Sequence, residues 1–112
     1  MITIYGASDD LVEVDGCEGA DEFYVANVDD GKVCWHGDLV APGGTEQLRA
    51  RAIYDDGVWS IALGQTDDGV PFPAWRNDTE QAPRTDYSAA VVIDAPAGTR
   101  LTNVWPEPQR QS

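Results

Sequence analysis

Two segments constrain the fold of this chain more than any others: EFYVANVDDGKVCWHG, residues 22–37, and LRARAIYDDGVWSIAL, residues 48–63. Each sets an Asp-Gly pair between two runs rich in β-branched and aromatic residues. A type I′ turn needs two successive residues at positive φ, and Asp-Gly is one of the few pairs that accept this at low cost. Each segment therefore predicts a two-residue hairpin. In the first, the register sets Asp29 opposite Lys32, Val28 opposite Val33 and Ala26 opposite Trp35, which pairs the single lysine with a carboxylate. In the second, Leu48, Ala50, Ala52 and Tyr54 share a face with Trp59, Ile61 and Leu63, while Arg49 and Arg51 point the other way. A helix over 45–54 is the alternative, because Glu46 to Ala52 are good helix formers. The alternation favours a strand.

MITIY and LVEV supply two more strands at the start, and YSAAVVID and TRLTNVW two near the end. The last two are joined by Ala-Pro-Ala-Gly, in which Pro96 suits the second position of a tight turn. A third Asp-Asp-Gly, residues 67–69, precedes VPFPAW, where Pro71 and Pro73 cannot donate to a ladder and exclude a central strand. Residues 64–87 read as a long loop, a length that compact domains reserve for functional segments. About eight short strands with little helix predict an all-β domain, a small antiparallel sandwich or barrel built from hairpins, occupying residues 1–112 as a single unit.

The composition agrees with a folded chain. Of 112 residues 42% are hydrophobic, with four Trp and four Tyr, which is too apolar and aromatic for a disordered acidic tail. The formal net charge of −13 repels nucleic acid and anionic membranes and favours basic partners, so direct binding to DNA or RNA is not expected. No apolar run approaches the roughly 20 residues that span a bilayer. The start MITIYGASDD has neither a basic region nor an apolar signal core, so a cytoplasmic location is expected. Cys17 and Cys34 are too few for a disulfide framework and read as free thiols.

Catalytic and metal chemistry finds little support. Cys34 and His36 lie two apart on one strand, yet nothing supplies an orienting third group or an oxyanion site. Cys17, Cys34, His36 and Asp38 match no tetrahedral zinc spacing. Paired carboxylates abound, but Asp29, Asp30, Asp55, Asp56, Asp67 and Asp68 fall at turns, where Asp bonds its own backbone. DDGKVCWHGDLV lacks the alternating ligands and closing Glu of a calcium loop. The expectation is a protein that is not an enzyme and carries no cofactor or metal. Trp35 and Trp59 alternate with apolar neighbours and belong to the core, whereas Trp75 and Trp105 stand beside prolines and suit a ligand-stacking role, with the 64–87 loop as a lid.

The most unusual stretch is GASDDLVEVDGCEGADEFYV, residues 6–25, which holds Asp9, Asp10, Glu13, Asp15, Glu18, Asp21 and Glu22 with no Lys, Arg or His. In a strand LVEVD, Val12 and Val14 face one way, and Leu11, Glu13 and Asp15 the other. Glu13 and Asp15 are then held about 7 Å apart, close to the spacing of phosphates along a DNA strand. Asp9 and Asp10 read as turn residues at the head of this ridge. A diffuse cause is the rival explanation, since saline habitats and high-GC genomes both raise Asp and lower Lys. Against it, residues 1–38 contain half of the twenty carboxylates.

The residues Gly6-Ala7-Ser8-Asp9-Asp10-Leu11-Val12-Glu13-Val14, with Gly16 and Glu22-Phe23, and the closing Asp94-Ala95-Pro96-Ala97-Gly98-Thr99-Arg100-Leu101 resemble small proteins of phages and prophages of high-GC bacteria. In size and acidity the chain is similar to phage anti-CRISPR and anti-restriction proteins, several of which imitate DNA. The resemblance implies an anti-defence inhibitor that binds the basic nucleic-acid-recognition surface of a host defence complex, with Asp9, Asp10, Glu13, Asp15, Glu18, Asp21 and Glu22 as partner-binding residues. The other expectations are a small-ligand-binding β domain using Trp75 and Trp105, and a structural virion protein.

Overall fold

The computed structural model describes residues 2–17, 23–43, 47–65, 87–93 and 95–106. They form eight strands, β1 (Ile2–Ser8), β2 (Leu11–Asp15), β3 (Phe23–Val25), β4 (Lys32–Val40), β5 (Gln47–Asp55), β6 (Val58–Gln65), β7 (Ala89–Ile93) and β8 (Arg100–Trp105). No helix occurs among the described residues. Two four-stranded antiparallel sheets pack face to face, sheet A in the order β3-β2-β1-β7 and sheet B in the order β6-β5-β4-β8. Of the sandwich and the barrel that the run of short strands predicts, the all-β sandwich is the fold found.

Alternation explains the core. Ile2 and Ile4 of β1, Val12 and Val14 of β2 and Val91 and Ile93 of β7 point from sheet A toward Trp35, Leu39, Ala50, Ala52 and Trp59 of sheet B. Full burial of each large side chain contributes roughly 1.5–3 kcal/mol, and Trp35, Ile4, Leu39 and Val12 are wholly inaccessible. Gly6 faces Trp59 so closely that a Cβ there would overlap the indole. Trp59 in turn ties the sheets together along one side, its Nε1 donating to the Ser8 carbonyl at 2.5 Å and its backbone N–H to Ser88 Oγ at 3.1 Å. On the far face of sheet A, Tyr5 and Val92 are also buried, and the Tyr87 ring lies 5.3 Å from that of Tyr5.

The second predicted hairpin is present in its expected register: Tyr54 faces Trp59, Ala52 faces Ile61 and Ala50 faces Leu63. Its turn residues Asp56 and Gly57 have φ of 51° and 82°, the paired positive values of a type I′ turn. Residues 47–55 are strand, so the helical alternative fails. The first predicted hairpin is different. β3 pairs with β2 in sheet A and β4 lies in sheet B, so residues 26–31 cross between the sheets. At that turn only Gly31, with φ 78°, is left-handed, and Lys32 N–H bonds the Asp29 carbonyl at 3.1 Å. A turn with positive φ at its third residue alone lacks the twist that keeps two strands in one sheet. Cys34 is the extra residue of a bulge, since Val33 faces Ile53 and Trp35 faces Ala52. That bulge buries Cys34 and Trp35 together.

The last two strands are present but do not pair with each other: β7 belongs to sheet A and β8 to sheet B. The connecting turn starts at Pro96 instead of carrying it second. Thr99 N–H bonds the Pro96 carbonyl at 3.3 Å, and Gly98 takes φ 89° at the third position.

Candidate functional site

Three turns meet at one end of the sandwich. Asp9 and Asp10 connect β1 to β2, Asp29 and Asp30 precede β4, and Asp55 and Asp56 stand at the β5–β6 turn. Tyr54 is the junction. Its hydroxyl donates to Asp9 Oδ1 at 3.0 Å, and its carbonyl accepts from Gly31 N–H at 2.8 Å. Asp56 N–H donates to Asp30 Oδ1 at 2.8 Å, which binds the second and third turns directly. The hydrogen bond to Asp9, some burial and the charges of Asp9, Asp30 and Asp56 together push the Tyr54 phenol above its ordinary value. Lys32 pairs with Asp29 at 3.2 Å, with both side chains largely exposed, and such a pair contributes little. Among the described residues the end carries six carboxylates, those of Asp9, Asp10, Asp29, Asp30, Asp55 and Asp56, on turns bonded to one another.

The predicted partner-binding acids divide between two places. Asp9 and Asp10 belong to this end. Glu13 and Asp15 lie on the outer face of sheet A, opposite Tyr5 and Thr3 respectively, and are half-buried beside those buried residues. Val12 and Val14 occupy the core, so the alternation read for LVEVD is the one observed. Glu18, Asp21 and Glu22 lie outside the described residues, as do Trp75 and residues 66–86 of the 64–87 segment.

The outer face of sheet B has the opposite character. Asp38 is almost inaccessible, and Arg49 on β5 grips both of its oxygens, Nε to Oδ1 at 2.8 Å and Nη2 to Oδ2 at 3.2 Å. Asn103 Nδ2 adds a third bond to Oδ2 at 3.0 Å. Asn103 can do so because β8 bulges against β4 and sets this residue at φ 53°, a conformation Asn tolerates better than most. Burial pushes the Asp38 carboxyl up, yet hydrogen bonds from Arg49 and Asn103 and the nearby Arg49 and His36 outweigh it and hold the carboxyl below its ordinary value. Beside this cluster His36 stacks on Trp105, ring centroids 6.0 Å apart and planes at 17°. Trp105 is exposed, as its proline neighbour suggested.

The Cys34 thiol and the His36 ring share no hydrogen bond. The Cys34 thiol is turned into the turn before β4, accepting from Asp29 N–H at 3.3 Å and donating to the Lys32 carbonyl at 3.2 Å. Cys17 is a free, half-buried thiol whose pKa burial pushes up to about 11, which suppresses the reactive thiolate. Among the described residues no group of three His, Cys, Asp or Glu is arranged to hold a metal ion. Turn chemistry marked Asp29, Asp30, Asp55 and Asp56 as structural, and so concealed that their turns converge. The available signal was the recurrence of Asp-Asp at hairpin turns, which alternate strands carry to the same end of a sandwich.

No protein-family model, no curated protein and no solved structure matches this chain.

Proposed function

We propose that the protein is a non-enzymatic inhibitor of the phage anti-defence type, which occupies a basic nucleic-acid-binding surface of a host defence complex by charge mimicry. The observation that carries this reading is that hydrogen bonds of Tyr54 with Asp9 and Gly31, and of Asp56 with Asp30, tie the three Asp-Asp turns together at one end. Carboxylates fixed by backbone turns reach Arg and Lys without first being ordered, and such preorganisation favours binding. Glu13 and Asp15 follow along β2 from the same turn, on the outer face of sheet A.

Charge of this density gives fast, salt-sensitive association with cationic surfaces. The test is affinity capture from the lysate of a bacterial host, loaded at low salt and eluted with a salt gradient. A nuclease or guide-RNA complex is expected to be retained at low salt and released as salt rises. Replacing Asp9, Asp10, Asp30, Asp55 and Asp56 by Asn is expected to remove most retention, and Glu13→Lys with Asp15→Lys to weaken it further. Retention of nothing, or retention untouched by these changes, overturns the reading.

A further inference from the structure

We propose that the outer face of sheet B is a self-complementary surface on which a second copy of this chain docks about a two-fold axis. The exposed large apolar side chains carry the first part of the argument. Of the four found among the described residues, Val28, Val33, Val58 and Trp105, the last three lie on this one face. The register places Val33, Ile53 and Ser60 in one row, Asp55 and Val58 in the row toward the acidic end, and Trp105, His36, Arg51 and Ala62 in a row on the other side. Exposed apolar residues flanked by Trp and Arg are the chemistry of protein interfaces, and patches of this kind on a small domain mark interaction sites.

The second part is the charge order along β5. Outward-facing residues read Asp55, Ile53, Arg51, so opposite charges stand one step to either side of an apolar centre. Neither Arg51 nor Asp55 has an ion-pair partner among the described residues. Arg51 turns away from its own Asp55, its Nη1 3.7 Å from the place a Cβ would take at Gly64. A two-fold axis lying in the interface along the Val33–Ile53–Ser60 row sets Ile53 on the second copy's Ile53, Arg51 on its Asp55, and Asp55 on its Arg51. Ala62 then meets the second copy's Val58. An isologous contact requires this kind of match, in which one patch complements itself. No other molecule needs to be supposed, since this chain supplies both halves of each pair. Four strands about 4.8 Å apart and eight residues of about 3.3 Å give a face of roughly 15 by 25 Å. Over both copies that is roughly 750 Å², below the size of stable specific interfaces, so the dimer is weak and reversible.

Sedimentation equilibrium of the full chain, from micromolar to millimolar concentration, tests this. A monomer–dimer equilibrium is expected for the wild type. Arg51→Glu and Asp55→Arg, each alone, are expected to weaken it about tenfold or more, and the two together to restore it, because the swapped charges pair again across the axis. Ile53→Asp is expected to abolish it, with circular dichroism checking that each variant is folded. A wild type that stays monomeric throughout, or a double swap as weak as the single changes, overturns the proposal.

Discussion

Arg49 and Asp38 face each other across β5 and β4, and the guanidinium holds the carboxylate through two hydrogen bonds of 2.8 and 3.2 Å while Asp38 is only 3% exposed. The pair sits where β8 joins the sheet, because Asn103 of the β8 bulge bonds the same carboxylate. It fixes the register of three strands at one point. A buried carboxylate with its partner removed keeps its desolvation cost and loses its compensation.

Arg49→Met is therefore expected to destabilise the fold by about 2–4 kcal/mol, with Asn103 retaining a share of the compensation. Asp38→Leu combined with Arg49→Met is expected to recover most of that loss, since no unpaired charge stays buried. Urea unfolding midpoints of the two variants check the difference.

The same carboxylate predicts acid sensitivity with a definite sign. The folded value of Asp38 is depressed relative to the unfolded chain. Its contribution is thus fully present above the ordinary Asp value of about 3.9 and is lost as pH falls through the lower folded value. Unfolding midpoints measured from pH 5 downward should show this loss, and Asp38→Asn should flatten it in that window.

Tyr54 gives the complementary effect at high pH. Its folded value is raised, chiefly by the bond to Asp9, so the stabilisation belongs to the protonated phenol. It is complete below the unfolded value of about 10 and disappears as pH rises through the folded value. Ultraviolet titration should show one phenol ionising late. Tyr54→Phe should remove that late step and the associated alkaline loss of stability.

Gly6→Ala is expected to cost about 1–3 kcal/mol or more, because the new methyl would overlap Trp59 and that indole is fixed by its bonds to Ser8 and Ser88. Thermal unfolding checks the loss.

Much of this architecture is legible in local chemistry. Asp56-Gly57 dictates its own turn, and the alternation of Leu48 to Tyr54 and of Trp59 to Leu63 assigns both faces of that hairpin without reference to the rest of the chain. Val12 and Val14 are equally readable as core. What escapes a sequence reading is non-local. Asp30-Gly31 looks identical to Asp56-Gly57, yet the bulge at Cys34 and the burial of Trp35 send β4 into the other sheet. The bond from Asn103 to Asp38 spans 65 residues and depends on a bulge that no local pattern announces. The acidic end is of the same kind: each Asp-Asp pair is explained locally as a turn, and only the packing of the two sheets brings three of them to one place. Glu13 and Asp15, chosen for their place along a strand, share their face with buried Tyr5 and Thr3.

The central claim, proposed above, is that the converging Asp turns act as a phosphate mimic, and the most direct measurement is the salt dependence of affinity between this protein and any host complex captured on it, with and without duplex DNA as competitor. The account predicts an affinity that falls linearly and steeply on logarithmic axes as salt rises, displacement by DNA, and a clearly shallower slope when Asp9, Asp10, Asp30, Asp55 and Asp56 become Asn. An affinity indifferent to salt and to DNA would contradict it.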